Sequence, residues 1–195
     1  MSSMPAHAAV VLAVGLAPRA GVRKGHSSRA LEPSAGEPLA RRIARLALET
    51  APSQLLVCVP ADDHTAVEVA LRGLRLRCLP VPGGGLGPAL VAALRALPRD
   101  CAAALALLCD PSSIGTGAHL ARLLAAWRAA PELPAASLDA SGAGLPALLP
   151  HACWDDLIAQ RDSGPRAVLR DPARRISTVA WMPPAPAPDD EGLTA

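Results

Sequence analysis

A glycine-rich segment with basic side chains follows the first apolar run of the chain. It spans residues 12–24 and carries Gly15, Arg19, Gly21 and Lys24. Glycine lets backbone N–H groups approach a phosphate closely, and basic side chains neutralise phosphate charge. Lys24 is the only lysine, against 18 arginines, and an ammonium is not interchangeable with a guanidinium at a phosphate. The segment predicts a phosphate-binding loop, although it matches neither the Walker nor the dinucleotide pattern; a plain basic surface loop is the alternative.

Two further segments place functional residue types after apolar runs. Gly85 and Gly87 lie in a glycine-rich turn before a helical pattern, where Pro88 suits the first helical position. Asp110 follows the apolar run 102–108. A carboxylate at the carboxyl end of a parallel strand faces the ligand crevice of such a sheet, and its oxygens can bind a metal ion. The alternatives are an ordinary turn before a helix and an aspartate that caps the next helix.

Strand and helix patterns alternate over the first 130 residues, with short connections. They predict strands over 10–14, 55–59, 75–81 and 102–108, and helices over 38–50, 61–72, 88–97 and 118–129, with Asp62 or Asp63 capping the second helix. We therefore expect an α/β fold, a single three-layer Rossmann-like domain whose mostly parallel sheet has helices on both faces. Beyond it we expect strands over 135–138, 145–149 and 176–180 and helices over 152–160 and 164–170.

Composition excludes several classes of protein. A hydrophobic share of 51% excludes wholesale disorder, and no apolar run has the roughly 18 residues of a membrane span. A net charge of +2 and 2% aromatics give little basis for nucleic-acid binding.

The five cysteines form no C-x-x-C pair, which predicts free thiols in a reducing cytoplasm. The apolar stretch 8–17 lacks the basic flank of a signal peptide. We expect one domain over 1–182 and a disordered Pro/Ala-rich acidic tail over 183–195.

The three segments together resemble the signatures of the MobA-like NTP transferases. The first is similar to L-A-[AG]-G-x-S-x-R-x-G-x-x-K and matches it at Leu12, Ala13, Gly15, Arg19, Gly21 and Lys24, with Ala17 in place of Ser. The family's next segment, L-L-P-x-x-G-x-P-L, is matched from Leu31 to Leu39 only after inserted residues around 25–30.

The remaining matches are partial. Residues 84–90 resemble E-G-M-G-S-S-L with both serines replaced, and residues 107–111 resemble L-L-G-D-Q-P with Cys109 in place of Gly. Residues 142–146 and 162–166 are weaker matches to G-x-x-G-H-P and G-D-x-G-A-R, and the family's closing acidic motif has no counterpart.

The resemblance implies the nucleotide-diphospho-sugar transferase-like fold and a Mg²⁺-dependent nucleotidyltransferase, closest to the molybdenum cofactor cytidylyltransferases. The implied reaction joins a nucleotide from an NTP (CTP or GTP) to the molybdenum–pterin cofactor and releases pyrophosphate. Arg19 and Lys24 would stabilise the triphosphate charge and Asp110 would hold the metal. The nucleotide would lie against Leu12, Ala13, Gly15, Arg19, Gly21, Lys24, Gly85 and Gly87. An apo-molybdoenzyme is a candidate partner; nucleic acid and membrane are not expected.

The sequence is compatible with two other functions. The lost serines and the missing acidic motif favour a degenerate relative that binds nucleotide or pterin without turnover, as an accessory protein in molybdoenzyme maturation. A sugar-phosphate nucleotidyltransferase would share the parallel sheet, but the chain leaves less room for a sugar domain. The scattered histidines His26, His64, His119 and His151 suggest surface or capping roles.

Overall fold

The computed structural model describes residues 5–14, 29–82, 85–111, 115–160 and 164–181. Within these ranges the chain forms a mixed sheet surrounded by helices. The strands are β1 (His7–Leu12), β2 (Pro33–Ser34), β3 (Glu37–Pro38), β4 (Leu55–Pro60), β5 (Arg77–Val81), β6 (Ala103–Leu108), β7 (Ala135–Asp139), β8 (Gly142–Pro150) and β9 (Ser177–Ala180). The α-helices are α1 (Leu39–Leu48), α2 (His64–Ala70), α3 (Leu86–Ala96), α4 (Gly117–Ala129), α5 (Trp154–Ala159) and α6 (Pro165–Leu169).

Seven strands form the central sheet, in the order β5-β4-β1-β6-β8-β7-β9. The neighbours β5, β4, β1 and β6 are parallel, as are β7 and β9, whereas β8 runs antiparallel to both β6 and β7. The predicted α/β fold with a mostly parallel sheet is therefore confirmed. Parallel neighbours bring the carboxyl ends of β1 and β6 to the same edge of the sheet, where such folds bind ligands.

Helices cover both faces of the sheet, as the alternation of the strands requires. In β1, Ala9 and Val11 pack into a core that includes residues of α1, α2 and α4. Val10 and Leu12 point into the opposite core, which includes residues of α3, α5 and α6. Strands buried on both faces read as continuous apolar runs, which is why β1, β4 and β6 were visible in the sequence.

The structure corrects several local expectations. The helix expected over 61–72 is a 3-10 turn, Ala61–Asp63, followed by the shorter α2, and neither Asp62 nor Asp63 makes a side-chain capping hydrogen bond. A hairpin of β2 and β3 was not anticipated; its turn places Ala35 and Gly36 at positive φ, of 51° and 83°. The predicted tail over 183–195 lies outside the described residues.

The cysteines are present as thiols and not as disulfides, as the sequence predicts. All five cysteines are free, and all but the half-buried Cys78 are buried. Among the helices that the structure describes, none has the length and apolar character needed to cross a bilayer.

Candidate functional site

Backbone hydrogen bonds join the end of β1 to the segment that follows β6. Leu12 pairs with Leu108 in register, and the Cys109 N–H donates to the Leu12 carbonyl oxygen at 3.0 Å. The Ala13 N–H donates to the Cys58 carbonyl oxygen at 2.9 Å, which extends the pairing with β4 beyond the strand. Leu12, Ala13 and Asp110 thus lie at one edge of the sheet. The other first-segment residues, Gly15, Arg19, Gly21 and Lys24, fall outside the described residues.

Asp110 forms an ion pair that sequence reasoning missed. One Asp110 carboxylate oxygen (Oδ2) lies 3.0 Å from an Arg29 guanidinium nitrogen (Nη1), and the two side chains are only 16% and 17% exposed. The Arg29 Nε–H is buried and has no acceptor among the described residues. Arg29 lies within the residues 25–30 that are inserted relative to the family pattern. It is the only arginine among them, and this is the sequence signal that could have identified it.

Asp110 is not the cap of the next helix, so that alternative is wrong. The N-cap of α4 is Thr116, whose hydroxyl oxygen accepts a hydrogen bond from the His119 N–H at 3.1 Å. Thr116 lies six positions after Asp110 in the sequence. The Asp110 carboxylate therefore stays at the sheet edge and does not accept a hydrogen bond from the N–H groups in the first turn of α4.

The residue before Asp110 adds a thiol but not an anion. Cys109 is fully buried, and this burial, together with the nearby Asp110 charge, raises the pKa of its thiol to about 12. Arg29 acts in the opposite direction but does not reverse the shift. Because Mg²⁺ takes oxygen ligands, the Cys109 thiol is not a donor for it beside Asp110.

The glycine-rich turn occupies the start of α3. Gly85 is the N-cap residue and has extended backbone, while α3 begins at Leu86, so Pro88 is the third helical residue instead of the predicted first. Its missing N–H is still harmless there, because the first-turn N–H groups have no partner within the helix. Since β5 is parallel to β4 and β1, its carboxyl end, from which the chain leads to α3, lies at the same edge as Asp110.

A second segment that resembles a family motif contacts this turn at Gly87. A Cβ added to Gly164 would lie 3.7 Å from the backbone nitrogen of Gly87, and Gly164 has φ of 67°. Gly164 directly precedes α6 and belongs to the segment 162–166 that resembles G-D-x-G-A-R. The fold therefore packs two segments distant in sequence against each other at the start of α3.

Asp110 suits a metal ion held mainly by a substrate. Among the residues that the structure describes, no three His, Cys, Asp or Glu side chains group as a metal site. Mg²⁺ usually keeps several waters and binds through one or two carboxylates together with substrate phosphates. Asp110 fits that mode of binding and not a cage made by the protein alone.

His119 is buried, so the surface or capping role expected for its side chain is wrong. It is 1% exposed, and its Nε2 lies 2.8 Å from the Ser137 hydroxyl, which itself donates to the Pro146 carbonyl oxygen at 2.7 Å. Because the hydroxyl proton is engaged there, His119 Nε2–H must be the donor to Ser137. Ser137 is therefore not activated as a nucleophile, and the pair joins α4 to β7 and β8.

The fold and the sheet-edge site define a class of protein, that of the nucleotide-diphospho-sugar transferase-like α/β fold. The sequence matches the model of the MobA-like NTP transferase domain over residues 9–178. The chain belongs to the MobA-like NTP transferases. No curated protein sequence matches it. Family membership supports a nucleotidyltransferase function and hence an enzyme.

Solved structures share this fold at low sequence identity. Rv0371c from Mycobacterium tuberculosis H37Rv superposes with a TM-score of 0.76 at 19% identity, over 90% of this chain and 88% of that one. A complex of Rv0371c with manganese gives 0.72 at 18%, over 92% and 89%. A nucleotidyl transferase from Methanothermobacter gives 0.68 at 18%, over 90% and 87%.

Proposed function

We propose that this protein joins a nucleotide from CTP or GTP to the phosphate of the molybdenum–pterin cofactor and releases pyrophosphate. The observation that carries the proposal is the placement of Asp110 beside Leu12 and Ala13, at the point where the chain enters its basic glycine-rich segment. A carboxylate beside the start of a basic glycine-rich segment, at the carboxyl edge of a parallel sheet, supports this proposal, because such edges bind ligands and nucleotide transfer depends on neutralising phosphate charge.

The proposed chemistry is displacement at the α-phosphorus of the nucleotide. An oxygen of the acceptor phosphate forms the new P–O bond, the bond between the α- and β-phosphates breaks, and pyrophosphate leaves with the electron pair. Arg19 and Lys24 would hold the triphosphate and stabilise charge on the leaving group. Asp110 would hold Mg²⁺, which supplies Lewis-acid neutralisation of phosphate charge. The protein's part is then mainly positioning and charge neutralisation.

A non-catalytic accessory role is the second candidate, and specific residues favour it. Ala17, Pro88 and Ala89 replace the family's serines, and Cys109 replaces a glycine with a buried thiol. Such a protein would bind nucleotide through the first loop with little dependence on metal. A cytoplasmic location, suggested by the free thiols, stays a prediction.

The test is pyrophosphate release with each of the four NTPs, with and without the molybdenum–pterin cofactor, titrated with Mg²⁺. Asp110→Asn is compared with wild type, and Asp155→Asn, at an exposed position in α5, is the control. We expect turnover that needs the pterin cofactor, favours CTP or GTP, and falls by roughly a hundredfold or more in Asp110→Asn alone, the scale of one lost transition-state contact. Nucleotide binding without pyrophosphate from any NTP would support the accessory role.

A further inference from the structure

Arg29 and Asp110 form a pair that the fold brings together across the chain. They are separated by 81 positions in sequence, yet their charged atoms lie 3.0 Å apart and both side chains are largely buried. A pair of this kind forms a charge-assisted hydrogen bond, which is about twice as strong as a neutral one. When no nucleotide is bound, Arg29 therefore supplies a positive charge beside the Asp110 carboxylate.

A divalent metal ion would need the same carboxylate. A second cation beside the guanidinium is repelled by it, and this repulsion is stronger in a partly buried site than in water. Metal binding at Asp110 therefore requires Arg29 to move away or to have its charge balanced. Arg29 is unlike the exposed arginines of the chain because its side chain is 83% shielded from solvent, with water less able to screen it.

A second feature of the Arg29 guanidinium is its Nε–H group. Its Nε–H is buried and meets no acceptor within the described part of the chain. A buried donor without a partner costs free energy, and a phosphate oxygen is an acceptor that suits the guanidinium fork. A nucleotide phosphate at this edge would offer Arg29 a second partner and would balance its charge.

We propose that Arg29 competes with the divalent metal for Asp110, so that metal enters together with the nucleotide instead of before it. Arg29 is then a positioning residue that pairs with Asp110 in the empty site and with phosphate in the occupied one. The inference rests on the proposed role of Asp110 in metal binding. It predicts opposite effects of losing Arg29: tighter binding of metal alone and weaker binding of nucleotide alone.

The experiment measures two affinities separately. Binding of Mn²⁺ alone is followed by the electron paramagnetic resonance signal of the free ion, and binding of CTP or GTP without metal is followed by calorimetry in EDTA. In Arg29→Gln we expect Mn²⁺ affinity to rise and nucleotide affinity to fall, each on the order of tenfold, the scale of one charge-assisted hydrogen bond. Arg29→Lys keeps the cation and should remain near wild type in Mn²⁺ affinity.

Arg45→Gln is the matched control, since Arg45 pairs with the carboxylate of Glu37 at 3.2 Å on an exposed surface and its loss changes the net charge equally. Both affinities should be unchanged in it. A merely structural role for Arg29 would weaken both ligands together, and this result, or an unchanged or weaker Mn²⁺ affinity, would overturn the proposal. Absence of Mn²⁺ binding in every variant would also overturn it. Pyrophosphate release in wild type decides the proposed function independently.

Discussion

The buried His7 makes the stability of the protein depend on pH in a calculable way. His7 is 4% exposed at the start of β1, and its Nε2 lies 3.0 Å from the Thr50 hydroxyl, which donates to the Ala47 carbonyl oxygen. Nε2–H is therefore the donor in the neutral ring. Burial first, and the Arg128 charge second, lower the pKa of His7 to about 4.

The sign follows from the direction of this shift. An unfolded histidine has a pKa of about 6.5, so as pH falls below that value the unfolded chain binds a proton before the native protein does. Stability contributed by neutral His7 is complete above the unfolded pKa and is lost progressively as pH falls toward the native pKa of about 4. Between about pH 7.5 and about pH 5, the loss comes to about 2 kcal/mol.

The assay is urea unfolding at a series of pH values within that range, above most carboxylate titrations. His7→Gln keeps an amide that can donate to Thr50 but does not titrate, and we expect it to remove most of the 2 kcal/mol loss. His64→Gln, in the first turn of α2, is the control and should keep the wild-type slope. The remaining slope in His7→Gln comes from His119, whose pKa is also lowered by burial. Equal slopes in wild type and His7→Gln would refute the reasoning.

Three further predictions concern the basic glycine-rich loop, the N-cap of α4 and the glycine that precedes α6. Arg19→Ala and Lys24→Ala should each weaken NTP binding by roughly 1.5–3 kcal/mol, the scale of a charge-assisted contact, whereas Arg72→Ala should not; equal affinities by calorimetry would exclude the loop as the phosphate site. Thr116→Ala removes the N-cap acceptor of α4 and should lower the free energy of unfolding by about 1 kcal/mol, with recovery in Thr116→Ser. Gly164→Ala forces a side chain onto a φ of 67° and should cost about 1–3 kcal/mol in urea unfolding; an unchanged midpoint would contradict that strain.

Much of the fold could be predicted because local patterns report local geometry. Buried parallel strands are continuous apolar runs, and helices such as α1 have a polar face, so the alternation of the two patterns predicted β1, β4, β5 and β6 and the helices between them. The position of Asp110 at the end of β6 followed from the same pattern. The period of a pattern does not report the partner of a strand, so the place of the antiparallel β8 between β6 and β7 was not predictable.

The amino-acid sequence by itself determined the α/β class, the family and the place of Asp110 at the end of a buried strand. The tertiary structure alone decided that Arg29 would pair with Asp110, that His119 would be buried against Ser137, and that Gly164 would pack on Gly87. These are contacts between residues 18 to 81 positions apart. Such contacts depend on how helices and strands pack after long loops close, and no local periodicity carries that information.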